Sequence, residues 1–548
     1  MLIYAGIIGV GGGFGAVAFR KLITFVTHLG FGVDEAQLVL YHSVWGFIIP
    51  AIGGLLVGLI VHFFAREAKG HGVPEVMYAI TEQKGVIRPR IVVAKALASA
   101  LSIGTGGSVG REGPIVQIGS AWGSTFGQLL GVRENQLKTL VACGAGAGIA
   151  ATFNAPIGGV MFASEIILGS FAIANLGSIV VASVLAATIG RLYFGDIASF
   201  PIPSYSITGI TPLGAFVVLG VVGGLFGVFY SRVLYFFEDV WDKLKHLPDW
   251  VKPAVGGLIV GAVGFFFPQI FGVGYPTVEQ ALINNLGLTT LAILLVLKLF
   301  VTSTTIASGG SGGVFAPGLF MGAMLGGIFG DFANRVFPGI TVTNGAFAMV
   351  GMATVFAGSA RAPITAIVML FEMTGNYQLI LPLMLATVVG ATIASVIERE
   401  SIYTYKLKRR GIDIIRKRSA DRLSTILVEE AMRPLTLTVT DSMRVLDAIN
   451  QFEGSIEGFA ILRSESGRAR GIISRSQLFA ELKHNHANAP LSGVVPLKTG
   501  CVLTSSRLAD ASKIMSDLKV QFLLALDEEG DPAGIIDTDA IVHSYGKP

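Results

Sequence analysis

The sequence predicts an all-α polytopic membrane protein followed by a small α/β module, and three observations carry that prediction. The first is composition. Of 548 residues, 52% are hydrophobic and 14% charged, with a mean hydropathy of +0.68; a water-soluble globule is far less apolar. The second is an internal repeat that divides about 1–200 from about 205–410. The third is a change of character after Glu398, where long apolar runs stop and a basic stretch, 401–411, leads into short alternating segments.

The apolar runs begin almost at Met1 (Leu2 to Ala18) and recur through Val396. No basic start and small-residue cleavage site mark a leader, so the first run is expected to be part of the fold. Membrane helices are expected at about 2–28, 44–65, 90–103, 135–152, 155–170 and 173–194. In the second half they include 291–305, 346–357, 364–374 and 379–397. Pieces such as Ile157–Leu168 are too short to cross a bilayer alone and fit only where protein or a wet cavity shelters their ends. The basic exit at 401–411 places that end in the cytoplasm. Beyond it, Phe459–Leu462, Gly471–Ile473, Phe522–Leu526 and Gly534–Ile536 look like strands, and Met443–Gln451 and Leu508–Leu518 like helices. Here too the chain repeats, with Gly471-Ile-Ile-Ser matching Gly534-Ile-Ile-Asp.

Composition also excludes. A net charge of +4 supports no nucleic-acid partner. The two cysteines, Cys143 and Cys501, suggest no disulfide framework, and the eight histidines are scattered, with no cluster spaced to hold a metal.

The membrane part is organised around Gly104 to Gly119: a glycine-rich stretch, then Arg111, Glu112 and Pro114, then a helical-looking apolar run. Proline suits the first turn of a helix, where its missing N–H has no partner to lose. The free N–H groups and dipole of a helix start attract anions, and an ionisable residue inside a membrane is functional by default. At an offset of 203 residues the device returns: Gly106, Gly107, Ser108, Gly110 and Pro114 meet Gly309, Gly310, Ser311, Gly313 and Pro317, and Lys95 meets Lys298. Glu165 falls on Glu372 at an offset of 207. Glycine–proline interruptions at matching places in two halves are the pattern of transporters whose broken helices meet near the bilayer midplane. For a single such stretch, close helix packing by small residues explains the glycines equally well.

These residues resemble the CLC family of chloride channels and proton-coupled chloride antiporters. Gly110-Arg-Glu-Gly-Pro114 matches the motif G-[KR]-E-G-P, Gly313-Val-Phe-Ala-Pro317 matches G-x-F-x-P, Gly70-His-Gly-Val-Pro74 corresponds to G-S-G-I-P, and Tyr403 to the pore tyrosine. The tail resembles a tandem pair of cystathionine-β-synthase-like (CBS) domains. The resemblance implies an inverted-repeat membrane domain at 1–410, a linker at 411–425, and CBS domains at 426–485 and 486–548. It further implies a homodimer with one ion pathway per subunit in the plasma membrane, or the cytoplasmic membrane of a prokaryote, with the CBS pair in the cytoplasm. Chloride, with protons, bromide or nitrate, is the implied cargo. Glu112 becomes the gating glutamate that competes with the anion. The backbone N–H groups of Val314 and Phe315 and the Tyr403 hydroxyl become anion ligands, joined by His71, Gly110, Arg111 and Gly113. Lys95 and Arg111 become distant sources of field.

Departures from the family pattern leave questions open. His71 stands where the family places serine; its imidazole either donates to the anion or titrates, or it packs without touching the ion. Ile166 stands where exchangers carry an intracellular proton-transfer glutamate, so either Glu165 and water serve as the internal proton route or the protein is a passive channel. Glu165 and Glu372 read equally as helix-end carboxylates. In the CBS pair, Gln477 and Ala540 replace the ribose-binding Asp, which argues against adenine nucleotide as a ligand; no cofactor is expected. Outside the family, Gly106–Gly110 and Gly309–Gly313 fit G-x-S-x-G, the pattern of a serine hydrolase, but an α/β sheet to hold the nucleophile is missing there. A sensor that reads a ligand without transporting it is the third alternative.

Overall fold

The computed structural model describes residues 1–548 except 42, 197, 201–210, 337–341, 417–422, 424–425, 454, 456–457, 495–499 and 547–548. The chain forms two compact units, Met1–Ile412 and Asp413–Pro548.

The first unit is helical. Its first half runs α1 (Leu2–Phe31), α2 (Trp45–Phe63), α3 (Val73–Glu82), α4 (Arg90–Gly104), α5 (Glu112–Leu129), α6 (Glu134–Phe153), α7 (Pro156–Phe162) and α8 (Ile173–Phe194). Its second half runs α9 (Thr211–Lys243), α10 (Lys252–Phe266), α11 (Tyr275–Leu282), α12 (Leu288–Ala307), α13 (Phe315–Val336), α14 (Asn344–Ala360), α15 (Pro363–Thr374), α16 (Ile380–Ile397) and α17 (Thr404–Arg409). Seven helices among the described residues are long and apolar enough to cross a membrane. Their outward residues stay apolar, with Ile173 91% and Val396 81% exposed, as a lipid-facing surface requires. Between them lie the interrupted pieces: α3 has 10 residues, α11 has 8 and α7 has 7, each with proline in its first turn. At 1.5 Å per residue, even the longest of these rises only about 15 Å, half a bilayer core. The expected helix over 155–170 breaks at Phe162 and continues as a π turn, Ala163–Leu168.

The repeat in the sequence becomes a pseudo-two-fold in space. Gly110 and Gly313, equivalent residues, exchange both backbone bonds: Gly110 N–H donates to Gly313 O at 2.9 Å and Gly313 N–H to Gly110 O at 2.6 Å. Ser99 meets Ser311 at 2.8 Å, and the equivalent pair, Thr302 and Ser108, meets at 3.4 Å. α5 packs on α6 through Gly119 and Gly144, where a methyl on either would overlap the other's carbonyl; Gly322 and Gly351 repeat the contact between α13 and α14. Close backbone approach through small residues is how helices associate without a hydrophobic drive between them.

The second unit carries two sheets. β2 (Thr438–Thr440), β3 (Phe459–Arg463) and β4 (Ala469–Ser474) form one. The other is ordered β1-β7-β6-β5, from β1 (Arg433–Pro434), β5 (Gly500–Leu503), β6 (Phe522–Leu526) and β7 (Pro532–Asp537). β2 runs parallel to β3 and β5 to β6, while β3–β4 and β6–β7 are antiparallel. A bulge falls at Leu462/Arg463 in one sheet and at Ala525/Leu526 in the other, equivalent positions. The two modules also exchange segments. β1 pairs with β7, Val428 packs in the core with Val502 and Leu523, and Leu491 packs in the core with Val439 and Ile473.

Candidate functional site

The site forms where two helix starts face each other. α4 ends at Gly104, the glycine-rich loop follows, and α5 begins at Glu112; the equivalent loop after α12 delivers α13 at Phe315. The Gly110–Gly313 exchange holds the two starts together. Glu112 is 1% exposed, and its carboxylate crosses to the other helix. Oε1 accepts from the backbone N–H of Phe315 at 2.7 Å and of Ala316 at 3.0 Å. Oε2 is buried with no partner among the described residues. A Cβ at Gly110 or Gly313 would overlap this carboxylate, so both glycines are required by the close approach. The first N–H groups of a helix have no intrahelical acceptor and sit at the positive end of its dipole. A carboxylate therefore occupies a place that suits a small anion.

The amides on the carboxylate are those of Phe315 and Ala316; of the two residues expected to offer amides to the anion, Phe315 is one of them and Val314 is not. The reason is the helix start: Phe315 and Ala316 are its first two residues, while Val314 is the residue before, whose carbonyl accepts from Gly318 N–H. The Tyr230 hydroxyl, fully buried in α9, donates to the same carbonyl at 3.1 Å. Nothing in the sequence marks Tyr230, one aromatic among many on an apolar helix. Gly110 directs its N–H to Gly313. Gly113 lies against the His71 carbonyl, which a Cβ there would overlap.

On one side of Glu112 stands Tyr403, 1% exposed at the start of α17. Its ring centroid is 6.1 Å from that of His71. His71 is fully buried, just before α3, and neither ring nitrogen has a partner among the described residues. Beyond lies a cavity of about 250 Å³ whose walls include Lys69, Gly70, Glu75, Glu238, Lys406 and Arg410. Arg410 pairs with Glu75 at 2.8 Å, and Arg409 with Asp239. Lys406 was missed in the sequence, although it stands three residues after Tyr403 on the same short helix.

Lys95 and Lys298 do the same thing in the two halves. Lys95 Nζ donates to Ala68 O at 2.9 Å and Gly70 O at 2.8 Å; Lys298 Nζ donates to Ile270 O at 3.1 Å and Gly272 O at 3.0 Å. Each ties down the loop that feeds a short helix, α3 or α11, and each is fully buried. Arg111 points elsewhere. It is 5% exposed, with its guanidinium 5.0 Å from the Tyr275 ring and 5.8 Å from the Phe153 ring.

Glu165 and Glu372 form a reciprocal pair of caps. Glu165 accepts from Ile364 N–H at 3.2 Å, Thr365 N–H at 2.7 Å and the Thr365 hydroxyl at 2.6 Å, at the start of α15. Glu372, on α15, accepts from Ile157 N–H at 3.0 Å and Gly158 N–H at 2.6 Å, at the start of α7. Ile166 is buried at 4% exposure in the π turn. The two serines of the hydrolase pattern lie at the contact between halves, Ser108 against Thr302 and Ser311 donating to Ala68 O at 2.8 Å. In the tail, Asp537 accepts from Ala540 N–H at 2.7 Å and pairs with Arg433 at 3.3 Å, while Ser474 and Gln477 close a capping box.

Paired helix starts within an inverted repeat, with a carboxylate on one set of amides, define an anion-handling membrane transport protein. The comparisons agree. The model of the voltage gated chloride channel family matches residues 53–395, and the CBS domain model matches 428–484. The chain is 34% identical over 423 residues to the putative chloride channel protein ClcB-like of Ralstonia nicotianae, covering 76% of this chain and 98% of that one. It is 30% identical over 418 residues to the H(+)/Cl(-) exchange transporter ClcA of Vibrio parahaemolyticus, covering 75% of this chain and 89% of that one. Among solved structures, a slow cyanobacterial Cl-/H+ antiporter superposes with a TM-score of 0.69 at 26% identity, over 75% of this chain and 97% of that one. A eukaryotic CLC transporter superposes with a TM-score of 0.64 at 20% identity, over 98% of this chain and 97% of that one; at that identity the likeness is one of fold. The chain belongs to the CLC family, and it is an integral membrane protein with a C-terminal CBS pair. The family consists of channels and transporters, not enzymes, which removes the hydrolase alternative.

Proposed function

We propose that this protein carries chloride across the membrane by Cl-/H+ antiport, with Glu112 as the gate. The observation that carries the proposal is the Glu112 carboxylate on the Phe315 and Ala316 amides, at 2.7 and 3.0 Å. A carboxylate and a halide compete for one set of donors. When Glu112 is ionised it holds the amides; when it takes a proton its attraction to them falls and chloride takes its place. Proton binding and chloride binding are thereby linked. Peptide dipoles and a tyrosine hydroxyl hold the ion without a full charge against it, so it leaves as well as enters. A homodimer with one pathway per chain is part of this proposal, as are bromide and nitrate as further cargo. The CBS pair is proposed as a dimer-stabilising cytoplasmic platform without nucleotide, because Gln477 and Ala540 stand where a ribose-binding Asp would, and Gln477 is closed into a capping box with Ser474.

The test uses purified protein in liposomes. A chloride gradient is expected to drive protons uphill, and Glu112→Gln and Glu112→Ala are expected to abolish that coupling while chloride still passes. A pH response equal to wild type in both variants refutes the gate. A second reading, a passive channel, has its own observation: buried Ile166 carries no proton, and Glu165 is taken up by three hydrogen bonds at α15. Chloride flux in the wild type with no uphill proton movement establishes that reading instead.

A further inference from the structure

α3 begins at the inner cavity, beside Gly70 and Lys406, where the chain leaves the membrane toward the cytoplasm. α11 is its counterpart in the inverted half, so its first turn faces outward. There the protein has a larger cavity, about 570 Å³, whose walls include Arg20, Asp34, Glu35, Arg111, Tyr275 and Glu279. Both arginines sit over rings: Arg111 over Tyr275 at 5.0 Å and Arg20 over Phe194 at 4.2 Å. A guanidinium confined against a ring has less freedom to lose when it takes a ligand.

Three buried polar atoms on these walls have no partner among the described residues: Arg111 Nε, the Tyr275 hydroxyl and Glu35 Oε1. Arg111 is 5% and Tyr275 9% exposed. Buried polar atoms are normally paired, and each exception calls for an explanation. Two of these atoms are donors and the third is an anionic acceptor. A halide matches the donors and is repelled by Glu35. A metal cation matches Glu35 but leaves the Arg111 Nε–H, which has no lone pair to give, unmet. An anion that carries its own hydrogen matches all three, because its bare oxygens accept while its hydroxyl donates.

We propose that this outer cavity binds a small hydrogen-bearing oxoanion of the bicarbonate class. Its oxygens accept from Arg111 Nε and the Tyr275 hydroxyl, Arg20 supplies balancing charge, and its hydroxyl donates to Glu35 Oε1. Planarity favours bicarbonate, since a guanidinium presents its N–H groups in a plane.

The test titrates bicarbonate, by calorimetry at neutral pH, into the purified full-length protein in detergent with saturating chloride. Nitrate, equally planar but without a hydrogen, is titrated in parallel. Bicarbonate is expected to bind, and nitrate to bind about tenfold more weakly for want of one charge-assisted hydrogen bond. Arg20→Met is expected to weaken bicarbonate about tenfold. Glu35→Gln, whose amide can donate to nitrate, is expected to bring the two anions level. Thermal unfolding of both variants is run alongside, so that a lost fold is not mistaken for a lost site. The proposal is overturned by no bicarbonate heat in the wild type, by equal binding of the two anions there, or by unchanged bicarbonate affinity in both folded variants. Chloride flux in wild-type liposomes is read separately: flux without bicarbonate binding ends this proposal and leaves chloride transport standing, and the converse does the opposite.

Discussion

Glu112 belongs to one helix and bonds to another, and that crossing makes a single side chain answerable to both halves of the molecule. The amides on the carboxylate, Phe315 and Ala316, share only Phe315 with the pair expected to hold the anion, Val314 and Phe315, and that shows what a motif conveys. It identifies the loop, but which N–H groups are free depends on where the first helical residue falls, and helix ends are poorly specified by sequence. Tyr230 was illegible for another reason. Its partner is a backbone carbonyl 84 residues away, so no local pattern announces it. Tyr230→Phe keeps the ring and removes the bond, and is expected to lower stability by about 1 kcal/mol, measured as a fall in melting temperature in detergent with flux retained. His71→Ala removes an imidazole that has both nitrogens buried and unpartnered. It is expected to weaken chloride binding by about threefold to tenfold; calorimetric affinity equal to wild type would mean that His71 packs without touching the ion.

Among the elements, the short helices are the informative ones. α3 and α11 are each tied at their entry by a buried lysine on two carbonyls, α7 by Glu372 of α15, and α15 by Glu165 of the π turn that follows α7. The sequence showed that these four residues repeat. It suggested different duties for Lys95 and Lys298, because only Lys95 falls on the family's pathway position, whereas their hydrogen bonds are the same. Lys95→Met and Lys298→Met each strand two buried carbonyls, and both are expected to destabilise by about 3 kcal/mol; thermal unfolding should place the two variants close together. Glu165→Gln and Glu372→Gln keep shape but weaken charge-assisted caps, with an expected loss of about 1–2 kcal/mol each. The discriminating readout is proton coupling: a Glu165 that only caps leaves coupling in Glu165→Gln as it is in Glu372→Gln, and a Glu165 that relays protons does not. The reciprocal partners were not readable in advance, since each cap joins residues about 200 positions apart in the two halves.

At the level of the whole chain, composition, the repeat and the shift after Glu398 were enough for a helical membrane unit and a separate tail, because lipid leaves so few ways to satisfy a backbone; the inversion of the repeat and the CBS pair came from the family resemblance. The outer cavity was not visible. Arg20, Glu35, Arg111 and Tyr275 come from four separate stretches, and no spacing rule joins them. Nor was the exchange within the tail, where β1 at 433–434 joins the sheet built from 500–537; a two-residue strand has no period to read. Because the first unit is compact by itself through Ile412, a chain ending there is expected to fold and pass chloride in liposomes. Within the intact tail, Arg433→Ala is expected to cost about 0.5–1 kcal/mol, since the arginine of the pair is 54% exposed although Asp537 is only 13%, measured by hydrogen exchange of the tail amides in the full chain.

The paired bonds between Gly110 and Gly313 have a historical corollary. A contact in which each residue gives its counterpart what it receives closes equally well between two separate copies of one shorter peptide, lying upside down to each other in the bilayer. In this chain the halves differ at their equivalent helix starts, Glu112 in one and Phe315 in the other; a symmetric pair with a glutamate at both would set two carboxylates at the same doorway.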